Sequence, residues 1–129
     1  MAIIFHIARS ERWANRYAGA DGEKQATAGW YRPEMFPIEG FVHCSTADQV
    51  IKVADTRFRG QTGLVLLCLD TNKVKAEVRC ENLEGGQELF PHIYGEININ
   101  AVVRVAEFEP GEDGYFALPA MLSLCNKNC

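Results

Sequence analysis

The chain has 129 residues, 47% of them hydrophobic and 23% charged, with a formal net charge of −4. That is enough apolar chain to bury one core without disulfides or metal, so residues 1–122 read as a single domain, followed by a polar, frayed tail over 123–129. The mildly acidic balance argues against duplex DNA as a partner, and no apolar stretch approaches the ~20 residues that span a bilayer.

Met1 leads directly into the first apolar segment, with nothing resembling a signal peptide. The five cysteines are odd in number and form no CxxC pair. Free thiols in a reducing cytoplasm are therefore expected.

Residues 2–8 are apolar and β-branched and predict a strand buried on both sides. Ser10 caps a predicted helix through residue 18, with Trp13, Ala14 and Tyr17 at helical spacing. A polar, glycine-rich loop over 19–29 leads to the aromatic cluster Trp30-Tyr31-Arg32-Pro33, and residues 34–39 are irregular. Residues 41–44 predict a short strand. Thr46 and Gln49 then make a capping box for a helix over 47–59, which places Val50, Val53, Ala54 and Phe58 on one face and ends at Gly60. Lys52, Arg57 and Arg59 read as the solvated face of that helix.

Residues 63–69 form the strongest strand, an apolar run closed by Asp70-Thr71-Asn72. Residues 74–82 predict a strand with Val78 and Cys80 on one face. A turn follows at Gly85-Gly86, then a short strand or loop over 89–93, a strand over 98–108, a turn over 110–114 and a last edge strand over 115–119. About six strands and two helices without regular βαβ alternation predict an α+β fold.

All three histidines lie in short apolar segments: Phe5-His6-Ile7, Phe41-Val42-His43-Cys44 and Pro91-His92-Ile93. Imidazole is the side chain best suited to acid–base work and ligand hydrogen bonding near neutral pH, so this placement suggests a shared pocket. His43 precedes Ser45 and Thr46 at a strand-to-helix junction, where free backbone N–H groups suit phosphate or carboxylate; the plainer reading is a helix cap. His92 and Tyr94 are bracketed by Pro91 and Gly95, which fix the backbone for a ligand or for a tight corner. His6 alone reads as a satisfied core residue. A Cys44–His43 dyad is disfavoured because strand neighbours point to opposite faces. A three-histidine metal centre lacks any HxH or HExxH pair, so no metal is expected.

The stretches GFVHCST (40–46), VLLCLD (65–70), FPHIYG (90–95) and GEDGYF (111–116) together resemble a family of small, mainly bacterial proteins, domain of unknown function 952. That family is grouped by remote similarity with the ADP-ribosyltransferase fold, near the RNA 2′-phosphotransferases. The resemblance implies two packed, mostly antiparallel sheets with a split cleft and two main helices. NAD, or an ADP-ribosyl or phosphoryl nucleotide group, would bind in the split.

It further implies that His6 and His43 contact ribose or phosphate, and that Ser45 and Thr46 hold phosphate at the helix start. Trp30, Tyr31 or Tyr94 would stack on a base or nicotinamide. Arg9 and Arg32 are the counterparts available for the arginines of the phosphotransferases. Catalysis would fall to His43, His92 and Glu96, although no Glu-x-Glu motif occupies the position where many transferases carry a glutamate. The expected partner is a small nucleotide-like ligand. The classes in view are a transferase of ADP-ribosyl or phosphoryl groups, a non-catalytic module that binds a nucleotide or RNA end, and a three-histidine metal-dependent enzyme.

Overall fold

Two apolar runs set the architecture. The structure is a computed structural model that describes residues 2–14, 29–83 and 85–119. In chain order its elements are β1 (Ile3–Arg9), α1 (Ser10–Ala14), β2 (Trp30–Tyr31), α2 (Phe36–Glu39), β3 (Val42–His43), α3 (Val50–Arg57), β4 (Leu64–Asp70), β5 (Glu77–Glu81), β6 (Phe90–Tyr94), β7 (Ile97–Asn98), a 3-10 turn at Ile99–Ala101, and β8 (Val102–Glu107). The strands form sheets of order β1-β4-β8, β2-β7 and β3-β6-β5, and every pair is antiparallel.

β1 and β4 are the two runs read from the sequence, and their register runs from Ile3↔Asp70 to Arg9↔Leu64. Successive strand side chains point to opposite faces. Ile3, Phe5, Leu64, Leu66 and Cys68 therefore join Val50 and Ala54 of α3, with Phe108 and Phe116, in one core. Ile4, Ala8, Val65, Leu67 and Leu69 meet Tyr31, Val42, Cys44, Ile93 and Ile97 of the other two sheets in a second core. A strand with a core on each face must be apolar throughout, and β4 is buried at every position.

Several expectations change in detail. The fold is α+β with antiparallel sheets and few helices, but eight strands are present among the described residues rather than six. The strand expected over 98–108 is broken by the 3-10 turn. Residues 34–39, expected to be irregular, contain α2, which Gly40 terminates in the left-handed region (φ 82) with its N–H bonded to the Phe36 carbonyl at 2.8 Å. The helix expected from residue 47 begins as a turn, and α3 proper starts at Val50. Half of the capping box forms: the Thr46 N–H donates to Gln49 Oε1 at 3.0 Å.

Residues 115–119 are not a strand. Phe116 buries by stacking on Phe108 with ring centroids 4.8 Å apart, and its N–H donates to Asp55 Oδ1 at 2.8 Å instead of to a ladder. The first helix is seen to Ala14; its expected continuation to residue 18, most of the 19–29 loop and the 123–129 tail lie outside the described residues. Cys44 and Cys68 are buried thiols outside any disulfide. Among the described residues no helix is long and apolar enough to cross a membrane.

Gly95 of the FPHIYG stretch has a steric reason. A Cβ there would lie 2.7 Å from the Ala76 Cβ, inside contact distance of a side chain that cannot rotate away. Gly95→Ala should cost about 1–2 kcal/mol in urea unfolding, and Ala76→Gly in the same chain should recover part of it. Strictly additive effects of the two changes would contradict the clash.

Candidate functional site

A cleft of about 450 Å3 runs along the outer edge of β1, where the first sheet parts from β3. Phe5 and Ser45 exchange backbone hydrogen bonds at 2.7 and 2.8 Å. Beyond that bridge the strands separate. In an antiparallel ladder, alternate residues direct both N–H and C=O to the same edge. Since Phe5 directs its pair toward Ser45, Ile7 and Arg9 direct theirs to that same edge. No group among the described residues pairs with the Ile7 backbone there, and Ile7 lines the cleft.

Two polar pairs line this cleft. His6 is 5% exposed, and its Nδ1 lies 2.7 Å from the His43 carbonyl. A carbonyl only accepts, so Nδ1 carries the proton, and Nε2 accepts from the Tyr31 hydroxyl at 3.2 Å. Burial lowers the His6 pKa to about 4, against the raising effect of the carbonyl bond. Burial also pushes the Tyr31 phenol up, so near neutral pH both partners are uncharged. Nitrogen-15 NMR at about pH 6 should show His6 as the neutral Nδ1–H tautomer. An imidazolium signal there would contradict this geometry.

The second pair is His43 and Glu39, with Nε2 to Oε2 at 3.1 Å and side chains 39% and 33% exposed. Gly40 reverses the chain between them. The cleft is completed by Arg9, Glu34, Met35, Ser45, Val53, Arg57 and Phe58, among others. Cys44 also lines it, but burial pushes its thiol well up, so it is no nucleophile near neutral pH.

The three histidines do come together. His6 holds the His43 carbonyl, and His43 pairs with His92 across β3 and β6, with ring centroids 5.4 Å apart and nearly perpendicular. Phe41 packs on both rings, at 4.8 and 4.5 Å. His92 is nonetheless not in the cleft wall. It is 1% exposed, its Nδ1 meets Glu81 Oε1 at 3.1 Å, and its Nε2 has no partner. Among the described residues no group of three or more His, Cys, Asp or Glu is placed to hold a metal ion, and His6 has both ring nitrogens engaged. The three-histidine metal arrangement is therefore not present among them.

The model of a protein family described as "Protein of unknown function (DUF952)" matches residues 17–105. The chain belongs to the DUF952 family. No curated protein matches it. Among solved structures, the chain is similar to protein CC0527 from Caulobacter crescentus. The crystal structure of CC0527 shares 28% identity at a TM-score of 0.74, covering 95% of this chain and 100% of that one, and a double mutant of the same protein gives the same values. Its solution NMR structure shares 27% identity at a TM-score of 0.69, covering 96% and 99%.

Within this DUF952 chain the residues singled out from sequence divide. His6, Tyr31, His43 and Ser45 line the cleft. Thr46 is buried at the entry to α3, engaged in the partial capping box. Tyr94 donates its hydroxyl to Glu81, beside His92, which raises the phenol and lowers the carboxyl. Trp30 stands outside the cleft with Lys75 over its ring at 5.7 Å. Arg32 and Glu96 pair with each other at 3.5 Å, one step beyond the Tyr31↔Ile97 register of β2 and β7.

The carboxylates of the cleft, Glu34 and Glu39, were not visible from sequence. Their segment has no periodicity, and the only signal is the four-residue spacing from Glu39 to His43.

Proposed function

We propose that the cleft binds NAD or a related ADP-ribosyl or phosphoryl nucleotide as substrate, and that the domain is an ADP-ribosyltransferase-like fold whose split is this site. One observation carries the reading: the β1 edge at Ile7, unpaired among the described residues, presents an N–H and a C=O side by side in the cleft that the His6–Tyr31 and His43–Glu39 pairs also line. A primary carboxamide, such as that of nicotinamide, offers the complementary acceptor and donor. About 450 Å3 lies within the range of small-molecule sites.

Arg9 in the wall offers charge-assisted bonds to phosphate. Ser45 offers a partner for ribose hydroxyls. Tyr31, with one ring edge against Trp13 at 5.6 Å, is a rigid aromatic wall for a ring. His92, Tyr94 and Glu96 then act at a distance or not at all, because none of them lines the cleft.

Titrating NAD and ADP-ribose while following the histidine ring signals tests this. His6 and His43 should respond in the millimolar range or below. If none of His6, His43 and His92 moves at millimolar ligand, the nucleotide reading fails. Release of nicotinamide from NAD separates a transferase from a binding module.

A further inference from the structure

The carboxylate that the sequence pattern lacked is supplied by another element. We propose that Glu39 is the positioning residue of a Glu39–His43 proton-accepting pair, in which Nδ1 of His43 takes the proton from the attacking hydroxyl or water. This rests on the NAD reading above and names the base of that same site.

The Glu39 carboxylate only accepts, so its 3.1 Å contact with His43 fixes the proton of neutral His43 on Nε2 and leaves the lone pair on Nδ1. That nitrogen has no protein partner among the described residues, yet it is not sealed from solvent, because His92 Nε2 is the buried unpartnered side-chain nitrogen found there. The ring itself is held. Phe41 packs on it at 4.8 Å and His92 meets it edge-on at 5.4 Å. The His43 backbone is tied through its carbonyl to His6 at 2.7 Å. A surface ion pair of two mobile side chains has no such constraints and is worth little. Here the imidazole is fixed on several sides, the carboxylate lies in the same cleft wall, and Nδ1 is left without a protein partner among the described residues, as a general base requires.

His43 Nδ1 takes the proton of a water molecule or acceptor hydroxyl. That oxygen forms a bond to the ribosyl carbon of NAD, and the bond from this carbon to the nicotinamide nitrogen breaks, its electron pair remaining on nitrogen and cancelling the ring charge. The imidazolium formed is stabilised by the Glu39 carboxylate, which gains no proton.

Glu39→Gln keeps the size of the side chain and, at 33% exposure, leaves the fold intact, which an amide spectrum verifies. Two readouts are combined. By nitrogen-15 NMR, His43 should lose its fixed Nε2–H tautomer. In NAD hydrolysis, kcat should fall about 10-fold or more with KM nearly unchanged. Wild-type NMR and kcat values in Glu39→Gln, with ADP-ribose still bound, overturn this inference and leave the nucleotide reading standing. Nucleotide binding without turnover in the wild-type protein also overturns it. Failure of the wild-type protein to bind NAD or ADP-ribose removes both.

Discussion

Taking the protein from neutral pH to about pH 4.5 should remove about 2–3 kcal/mol of stability through His6 alone. The folded-state pKa of His6 is lowered from 6.5 to about 4, chiefly by burial. Above the unfolded value both states are neutral and nothing depends on pH. Between about 6.5 and 4 the unfolded chain takes up a proton that the folded chain refuses, so stability falls as pH falls through that window. Urea unfolding at the two pH values measures the loss. His6→Gln retains an N–H for the His43 carbonyl and an oxygen for the Tyr31 hydroxyl, but cannot titrate, and should lose that much less on acidification. Glu77 and Glu81, whose pKa values are lowered by bonds to Arg79 and to Tyr94 with His92 respectively, lose their stabilising contribution as pH falls from the usual carboxylate value through their lowered folded values, and they do so equally in both proteins. An equal acid loss in the variant would show that His6 is not buried neutral.

The second large effect concerns chemistry rather than stability. His43→Asn should lower NAD turnover by about 100-fold or more, while changing unfolding free energy by under about 1 kcal/mol, because a side chain 39% exposed carries little of the core. ADP-ribose affinity should change only a few-fold. A variant that loses affinity and keeps kcat would make His43 a binding group and not a base.

What could be read in the sequence follows the range of each interaction. β1 and β4 are legible because a strand between two cores has no polar face, and Ile3–Arg9 and Leu64–Asp70 are written that way. α3 is legible from its apolar spacing and from Thr46 with Gln49. The convergence of His6 on His43 depends on a contact across 37 residues, and the meeting of His43 with His92 depends on the register of β3 against β6. No local pattern encodes either. Glu39 escaped for a related reason: its place in the cleft comes from the chain reversal at Gly40, and a single helical turn leaves no periodicity to detect. Residues 115–119 misled because Phe116 is buried by one aromatic stack and one side-chain bond, so an apolar residue there says nothing about a ladder.

If the open edge of β1 is a ligand site, amide hydrogen exchange at Ile7 should report the ligand. Ile7 lies inside a buried strand, yet its N–H points to the split and should exchange faster than those of His6 and Ala8, which the alternation of the ladder directs toward β4. Saturating NAD should slow Ile7 exchange about 10-fold or more, whereas ADP-ribose, which lacks the carboxamide, should leave it nearly unchanged. Slow Ile7 exchange in the free protein, or an Ile7 amide indifferent to bound NAD, would contradict the account.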